Sequence, residues 1–443
     1  MKHWILAAAT ILLVQGADAR EYWGPPRACP KPKADCCPKP CEPKACAPKK
    51  CEPKPCAPQK CAPQKCEPKP ECCPKPKPCC PPVCFERSLP TSSCCTPTAY
   101  SEPANVELRC GWDVFVTANF IYWEASQGGM DLALPGSGTI AGGTLTTTSI
   151  TLPSTGNSML VQDSDYKPGF QVGLGWSGGK DNWSLYAEYT WLHASTSTSA
   201  DAPAPGVATI DGVAVPQNGI WLPTSWLAPD VFVNDATTHI SSSWDYKIDL
   251  VDGQLSRPFY SGARLTLEPF FGLRGAWIRQ SLSINSTNLA TTSVGIPFAS
   301  RNANYSSHSW AVGPRVGMNG NWHLGYGIRF IGNTAASLLF TEYDVKQDVA
   351  SPDSSGTAQL PIRTKLNDYT ALRPNLDLSL GLGWGSYFDC RRFYLDLAAT
   401  YDFSVFWDQN MMRYLADEVD ARVGAAAANL FLQGLTIQTR FDF

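Results

Sequence analysis

After residue 19 this 443-residue chain has no apolar run approaching the ~20 residues that a membrane-crossing helix needs. It also lacks a P-loop and an H-E-x-x-H zinc motif. Histidine is scarce, at five residues, and the four beyond residue 110 (His193, His239, His308, His323) are scattered without obvious partners. That argues against an enzyme, because barrel proteases and lipases need clustered Asp/His or Ser/His groups. A net charge of −3 argues against a nucleic-acid partner. No cofactor and no metal is called for. Cysteine is almost missing from the greater part of the chain: past Cys95 only Cys110 and Cys390 remain.

What is present falls into three parts. Lys2 and His3 precede the apolar run Ile5 to Val14, and Ala17-Asp18-Ala19 supplies small residues at alternate positions. This pattern predicts a secretory leader over 1–19, cleaved before Arg20, since ten apolar residues are too few to span a bilayer. Residues 20–109 hold sixteen of the eighteen cysteines, together with repeated proline and lysine, and Cys29 to Cys84 alone carries a net charge of +7. From Phe85 onward the balance reverses to −11.

Between Cys41 and Cys66 cysteine recurs every five residues (Cys41, Cys46, Cys51, Cys56, Cys61, Cys66), flanked by the pairs Cys36-Cys37, Cys72-Cys73, Cys79-Cys80 and Cys94-Cys95. Proline at this density predicts polyproline II or disordered chain, with roughly 15 Å between cysteines five apart. A disulfide needs Cα atoms within about 4.4–6.8 Å, so the bridges expected are to other chains or to distant parts of a folded-back segment. Zinc is disfavoured, because each four-residue spacer carries a proline that opposes convergence of the thiolates. A plain solvated linker is the third reading, and the lysines add the option of attraction to phosphorylated lipid or acidic polymer.

From residue 110 the text becomes period-two. Leu372, Pro374, Leu376, Leu378, Leu380, Leu382 and Trp384 alternate with Arg373, Asn375, Asp377, Ser379, Gly381 and Gly383. Trp244, Tyr246, Ile248 and Leu250 alternate with Asp245, Lys247 and Asp249; Phe393 to Phe403 alternate with Arg392, Asp396 and Asp402. Such alternation marks half-buried strands. Trp and Tyr gather toward strand ends, polar faces carry mid-strand charges, and the last residues alternate to a terminal Phe443. Together these predict an all-β fold, a transmembrane antiparallel barrel over 110–443 in the outer membrane of a Gram-negative envelope, with outer-membrane lipid around it.

Ten strands are expected, near 111–126, 167–177, 182–196, 242–252, 263–281, 308–319, 322–338, 369–385, 391–407 and 429–443. Twelve or more would follow if hairpins hide in 127–166 or 197–241. Gly320-Asn321 is among the expected short turns, and 282–307 and 339–368 among the long loops. An even count places both ends, and the cysteine segment, in the periplasm. Cys110 and Cys390 are then periplasmic too, about 10 Å apart at ~4.8 Å per strand spacing, and expected to join the disulfide network. Met411, Met412, Leu415, Val419 and Val423 recur at helical spacing, which predicts an amphipathic helix in the last long loop, on the rim or folded into the lumen as a plug.

With these strands in hand the chain resembles the pore-forming major outer-membrane proteins of the Legionella and chlamydia-related type. The likeness rests on Gly111-Trp112-Asp113, Phe120-Ile121-Tyr122-Trp123, Gly169-Phe170-Gln171-Val172-Gly173, Leu267 to Arg274, Gly313-Pro314-Arg315, Trp322-His323-Leu324, Gly327-Ile328 and the terminal phenylalanine. It implies Phe443 as the insertion signal, and it suggests a disulfide cross-linked envelope in which the cysteine segment joins other cysteine-rich proteins or copies of itself. The expected function is a porin for ions and small hydrophilic solutes. Its expected lining is Asp245, Lys247, Asp249, Glu268, Arg274, Arg315, Arg329, Arg373, Asp377, Asp396 and Asp402. Ion pairs that close a narrow interior are the competing role for these charges. A structural protein, its barrel anchoring a disulfide-linked network, is the alternative function. Homo-oligomerisation and solute selectivity stay open.

Overall fold

The computed structural model of the chain describes residues 104–108, 112–138, 140–141, 144–145, 158–178, 182–202, 206–210, 213–227, 237–262, 264–287, 300–352, 358–419 and 427–443. The expected leader, the cysteines from Cys36 to Cys95, and Cys110 lie outside these residues.

Ten strands form the wall: β1 (Val114–Gln127), β2 (Tyr166–Ser177), β3 (Ser184–Asp201), β4 (His239–Ser256), β5 (Leu265–Thr287), β6 (Ser300–Gly325), β7 (Ile328–Pro352), β8 (Ala358–Phe388), β9 (Phe393–Phe406) and β10 (Leu430–Asp442). Each pairs antiparallel with the next, and β10 pairs back to β1, which closes the barrel and leaves no free edge. Hairpins do occur in the two doubtful loops, yet they stay out of the wall. Asp131–Gly138, Leu160–Val161, Gly206–Ile210 and Val213–Pro223 make a separate four-stranded sheet.

The start of β1, the end of β10 and the tight connections between wall strands share one end of the barrel. The backbone amide of Trp112 donates to the carbonyl of Phe443 there, and Ala104 donates to the carbonyl of Pro258 in the β4–β5 turn. The β6–β7 hairpin turns at Tyr326-Gly327 rather than at Gly320-Asn321. Gly325, Tyr326 and Gly327 all have positive φ, the geometry of a tight hairpin turn, while Gly320 and Asn321 pair with Gly332 and Ile331 inside the ladder. Asn beside Gly reads as a turn in sequence, but here the strand runs on through it. Cys390 sits at this end too, in the short turn Asp389–Arg391.

Strand β5 shows what sets the faces. Leu265, Leu267, Phe271, Leu273 and Trp277 point outward, then Arg279, Ser281, Ser283 and Asn285 continue the same face. On its inner face Glu268 and Arg274 give way to Ile278, Leu282 and Ile284, the last three at most 2% exposed. The polarity of the alternation therefore inverts just above Trp277. The same switch occurs above Trp310 on β6 and Phe340 on β7. Trp277 pairs with Trp310, and both Trp277 and Trp191 pair with Asp249, so these residues mark one level around the wall. On β6 the outward residues from Trp310 to Trp322 are apolar apart from Gly320, a stretch about 30 Å high at ~3.4 Å per residue and a tilt of ~40°. That is a bilayer's apolar thickness bounded by aromatic residues.

Beyond this level the strands continue in water. The segments 282–307 and 339–368, expected as loops, are largely strand, so that β5 to β8 reach 23, 26, 25 and 31 residues. Their Ser, Asn and Asp content reads as loop, but apolar residues recur on the inner face, where Tyr305, Tyr343, Val345 and Val349 are buried.

Candidate functional site: the barrel lumen

The inversion changes which charges face the interior. Glu268, Arg274, Arg315, Arg329, Arg373, Asp377, Asp396 and Asp402 all point inward. Asp245, Lys247 and Asp249 do not. They lie on the outer face of β4, and Trp244, Tyr246, Ile248 and Leu250 face inward, at most 4% exposed. The alternation of β4 is legible in the sequence; its phase is not, because this stretch stands above the bilayer, where the apolar face turns in. Glu188, Asp252, Arg440 and Asp442 join the interior as additional charges. Glu188 alternates with Leu185, Ala187, Tyr189 and Trp191, and Arg440 with Phe441, so the same rule finds them.

In the lower half the charges are knitted together. Arg274 is 4% exposed. Its Nε and Nη2 donate to Asp252 at 2.6 Å each, and its Nη1 donates to Asn375 at 2.6 Å and to Asp377 at 2.8 Å. Arg315 also donates to Asp377, whose other oxygen accepts from Ser404 at 2.6 Å. Arg329 pairs with Asp396, and Arg440 with Asp442 at 2.7 Å. Between these groups lies a cavity of about 210 Å³ bordered by Asn119, Gln171, Glu188, Arg274, Asp377 and Asp402. Three glycines on the inner face of β2 leave room for it and for neighbouring rings; a Cβ at Gly175 would meet the Phe115 ring at 2.0 Å. Buried atoms Asn119 Oδ1, Arg315 Nε and Asn333 Oδ1 have no hydrogen-bond partner in the protein, which makes them positions for water.

The upper half is filled instead by a plug. The helix α1 (Met411–Val419) lies inside the barrel against β6 and β7, with Met411, Met412, Leu415 and Ala416 buried. The rim placement is thereby replaced by the lumenal one. Residues 130–133 and 220–227 add Met130, Leu132, Trp226 and Leu227 to a continuous apolar core with inward-facing Tyr305, Leu282 and Tyr343. Polar contacts pin the pieces. Arg413 reaches Asp131 at 3.1 Å and Asp417 at 3.0 Å and lies over the Trp226 ring. Tyr305 donates to the Trp226 carbonyl at 2.8 Å, Arg301 to the Leu227 carbonyl at 2.7 Å, and Tyr343 to Gln409 at 3.0 Å. From below, Arg373 pairs with Asp408 at 3.0 Å and touches the Met411 sulfur.

Three histidines do have partners. His193 contacts Asp249 at 3.1 Å, His239 contacts Asp201 at 2.8 Å, and His323 contacts Thr266 at 3.0 Å. Ser199 Oγ lies 3.5 Å from the other nitrogen of His239, giving the order of a hydrolase triad. The Asp201 side chain is 93% exposed, however, on an open strand face.

A closed barrel with an apolar outer belt, aromatic borders and all tight turns at one end is an outer-membrane β-barrel protein. Its short-turn end faces the periplasm and its long-loop end the outside. The family described as Legionella pneumophila major outer membrane protein precursor matches residues 106–443. The chain belongs to that family, and its place is the outer membrane of a Gram-negative bacterium. Among curated proteins nothing matches it. Solved structures to which it is similar include the outer membrane protease OmpT from Escherichia coli, at 10% identity over 74% of this chain and 96% of that one, TM-score 0.32. They also include a major outer membrane protein from Thermus thermophilus (10% identity, 74% and 99%, TM-score 0.25) and a FadL homologue from Pseudomonas aeruginosa (8%, 74% and 89%, TM-score 0.22). The fold assignment rests on the strand pairings of the chain itself.

Proposed function

We propose that the barrel is a diffusion channel for ions and small hydrophilic solutes, held shut at its outer mouth by the plug. One observation carries this. In the membrane-spanning zone every strand sends at least one polar side chain inward, from Asn119 on β1 to Thr436 on β10, around a cavity with unsatisfied polar atoms. A polar wall of this kind wets readily. The obstruction above it belongs to two loops and a short helix, not to the wall, so it can move without breaking the barrel.

The test is electrical. Residues 20–443, refolded in detergent, are recorded in planar bilayers. Discrete conductance steps are expected; a folded, heat-modifiable preparation that stays silent, even with the plug destabilised, overturns the reading.

A second reading has its own observation. The Arg274–Asp377 pair joins β5 to β8 across the interior, and the apolar plug core is continuous, as in a barrel that serves only as an anchor. On that reading the cysteine-rich segment is the working part, cross-linking in the periplasm. The spacing of its cysteines supports cross-links to other chains. Non-reducing gels of envelopes are expected to show high-mass species that collapse to monomer with thiol. A monomer under oxidising conditions would rule out the intermolecular network.

A further inference from the structure

We infer that the outer face of the wall, just above the lipid tails, binds a phosphorylated glycolipid of the outer leaflet, with Lys247 and Arg279 holding its phosphate. Such a site is independent of whether the lumen conducts.

His193 on β3, Lys247 on β4, Arg279 on β5 and His308 on β6 are successive ladder partners, so four basic side chains stand in one row across four strands. All four point outward. Lys247, Arg279 and His308 are exposed, and His193 lies against the Trp191 ring at 4.5 Å between centroids. Two residues nearer the membrane on the same faces stand Trp191, Trp277 and Trp310, the aromatic border of the apolar belt. Two residues along a tilted strand climb about 5 Å, and the headgroup layer on each side of a bilayer is roughly 5–7 Å deep. The row therefore stands at the depth of lipid phosphates, on the side that faces out of the cell.

Lys247 and Arg279 face each other directly, and like charges so placed destabilise a sheet. Among the described residues neither forms an ion pair. Asp249, beneath Lys247, accepts from the Tyr189 hydroxyl at 2.7 Å and contacts His193 at 3.1 Å. Asp344 stands opposite His308 and accepts from the Asp368 amide at 3.4 Å. Asp245, one step further out on β4, is exposed between Ser195 and Ser281. A phosphate bridging the two central cations relieves their repulsion through charge-assisted hydrogen bonds.

The layers on either side fix what carries that phosphate. Below the pair, Val251 and Trp277 present exposed apolar surface to lipid tails. Above it, Asp245 and Ser281 and then Ser243 and Ser283 offer the carboxylate and hydroxyls that suit sugar. Groups for tails, for phosphate and for saccharide thus follow one another along β4 and β5, in the order in which a lipid phosphorylated on its sugar headgroup presents them. A soluble anion would use the middle layer alone.

The experiment is native mass spectrometry of residues 20–443 refolded in detergent and titrated, with chelator present, against three probes. These are a diphosphorylated diglucosamine lipid, its phosphate-free counterpart and inorganic phosphate. Saturable binding that favours the phosphorylated lipid is expected. Lys247→Gln/Arg279→Gln should weaken it by about tenfold or more, two cations at a membrane surface being lost. Lys346→Gln/Lys365→Gln makes the same charge change at a facing pair on β7 and β8, outside the row, and should bind like the parent. Heat-modifiability on gels verifies that each variant is folded. No binding by the folded parent, or equal binding of the phosphate-free lipid, overturns the proposal. Equal losses in both double variants, or none in either, overturn the assignment to this row. Binding that appears only when magnesium replaces the chelator gives the lipid to the acids instead. Displacement by inorganic phosphate at the lipid's own concentration makes the occupant a soluble anion. Either of these last results also overturns the proposal.

Discussion

Arg274→Met is expected to destabilise the folded barrel by about 3–5 kcal/mol, the cost of breaking a buried ion pair from one side. The guanidinium, 4% exposed, is shared by Asp252, Asn375 and Asp377. Asp377 keeps Arg315 when Arg274 is lost, but Asp252 keeps no cation. The measurement is the urea or temperature midpoint of the heat-modifiable band. Arg274→Lys should lie between parent and Met, because an ammonium cannot reproduce the two parallel bonds to Asp252. Adding Asp252→Leu to Arg274→Met should recover part of the loss, since it removes the orphaned charge. A midpoint unchanged in Arg274→Met would mean that water reaches Asp252 freely and that the network is not buried in solution.

Leu415→Asp is expected to convert a mostly closed barrel into a mostly open one. Leu415 is 5% exposed within the plug core, and burying a carboxylate there disfavours the closed state by several kcal/mol. At ~1.4 kcal/mol per factor of ten, even about 3 kcal/mol shifts the closed-to-open ratio more than a hundredfold. The plug's other attachments, Arg413 to Asp131 and Ser225 to Asp417 at 2.6 Å, tie the helix to the loops, so the pieces should leave as a unit. Open probability in single-channel records is the readout. A variant that folds but gates like the parent would show that the helix does not block the path.

The aromatic borders are legible in the sequence as Trp and Tyr gathered toward strand ends, and the strand texts are legible because they follow a two-residue period. Such a period tells which side chains share a face. It does not tell whether lipid or water lies outside, and Asp245, Lys247 and Asp249 read as lumenal for that reason. The correcting signal is on β5, where one face passes from Trp277 to Arg279 while the other passes from Arg274 to Ile278. The plug is half legible. Helical spacing marks Met411, Met412 and Leu415, but the partners that draw the helix inward, Tyr343 and Trp226, belong to distant segments whose meeting no local pattern reports. The ion pairs are unreadable for the same reason: Arg274 and Asp377 are 103 residues apart.

Strands β5 to β8 run well past the bilayer; on β6 the ten residues from Trp310 back to Ser300 would rise about 25 Å at ~3.4 Å per residue and a tilt of ~40°. The barrel thus ends in a parapet whose outside is charged, with Asp344, Lys346 and Asp348 on β7 beside Arg363 and Lys365 on β8, and Arg363 to Asp348 at 3.2 Å. Salt dissolved in the water above the lipid therefore screens the charges of this upper wall, while the apolar belt below them is indifferent to ionic strength.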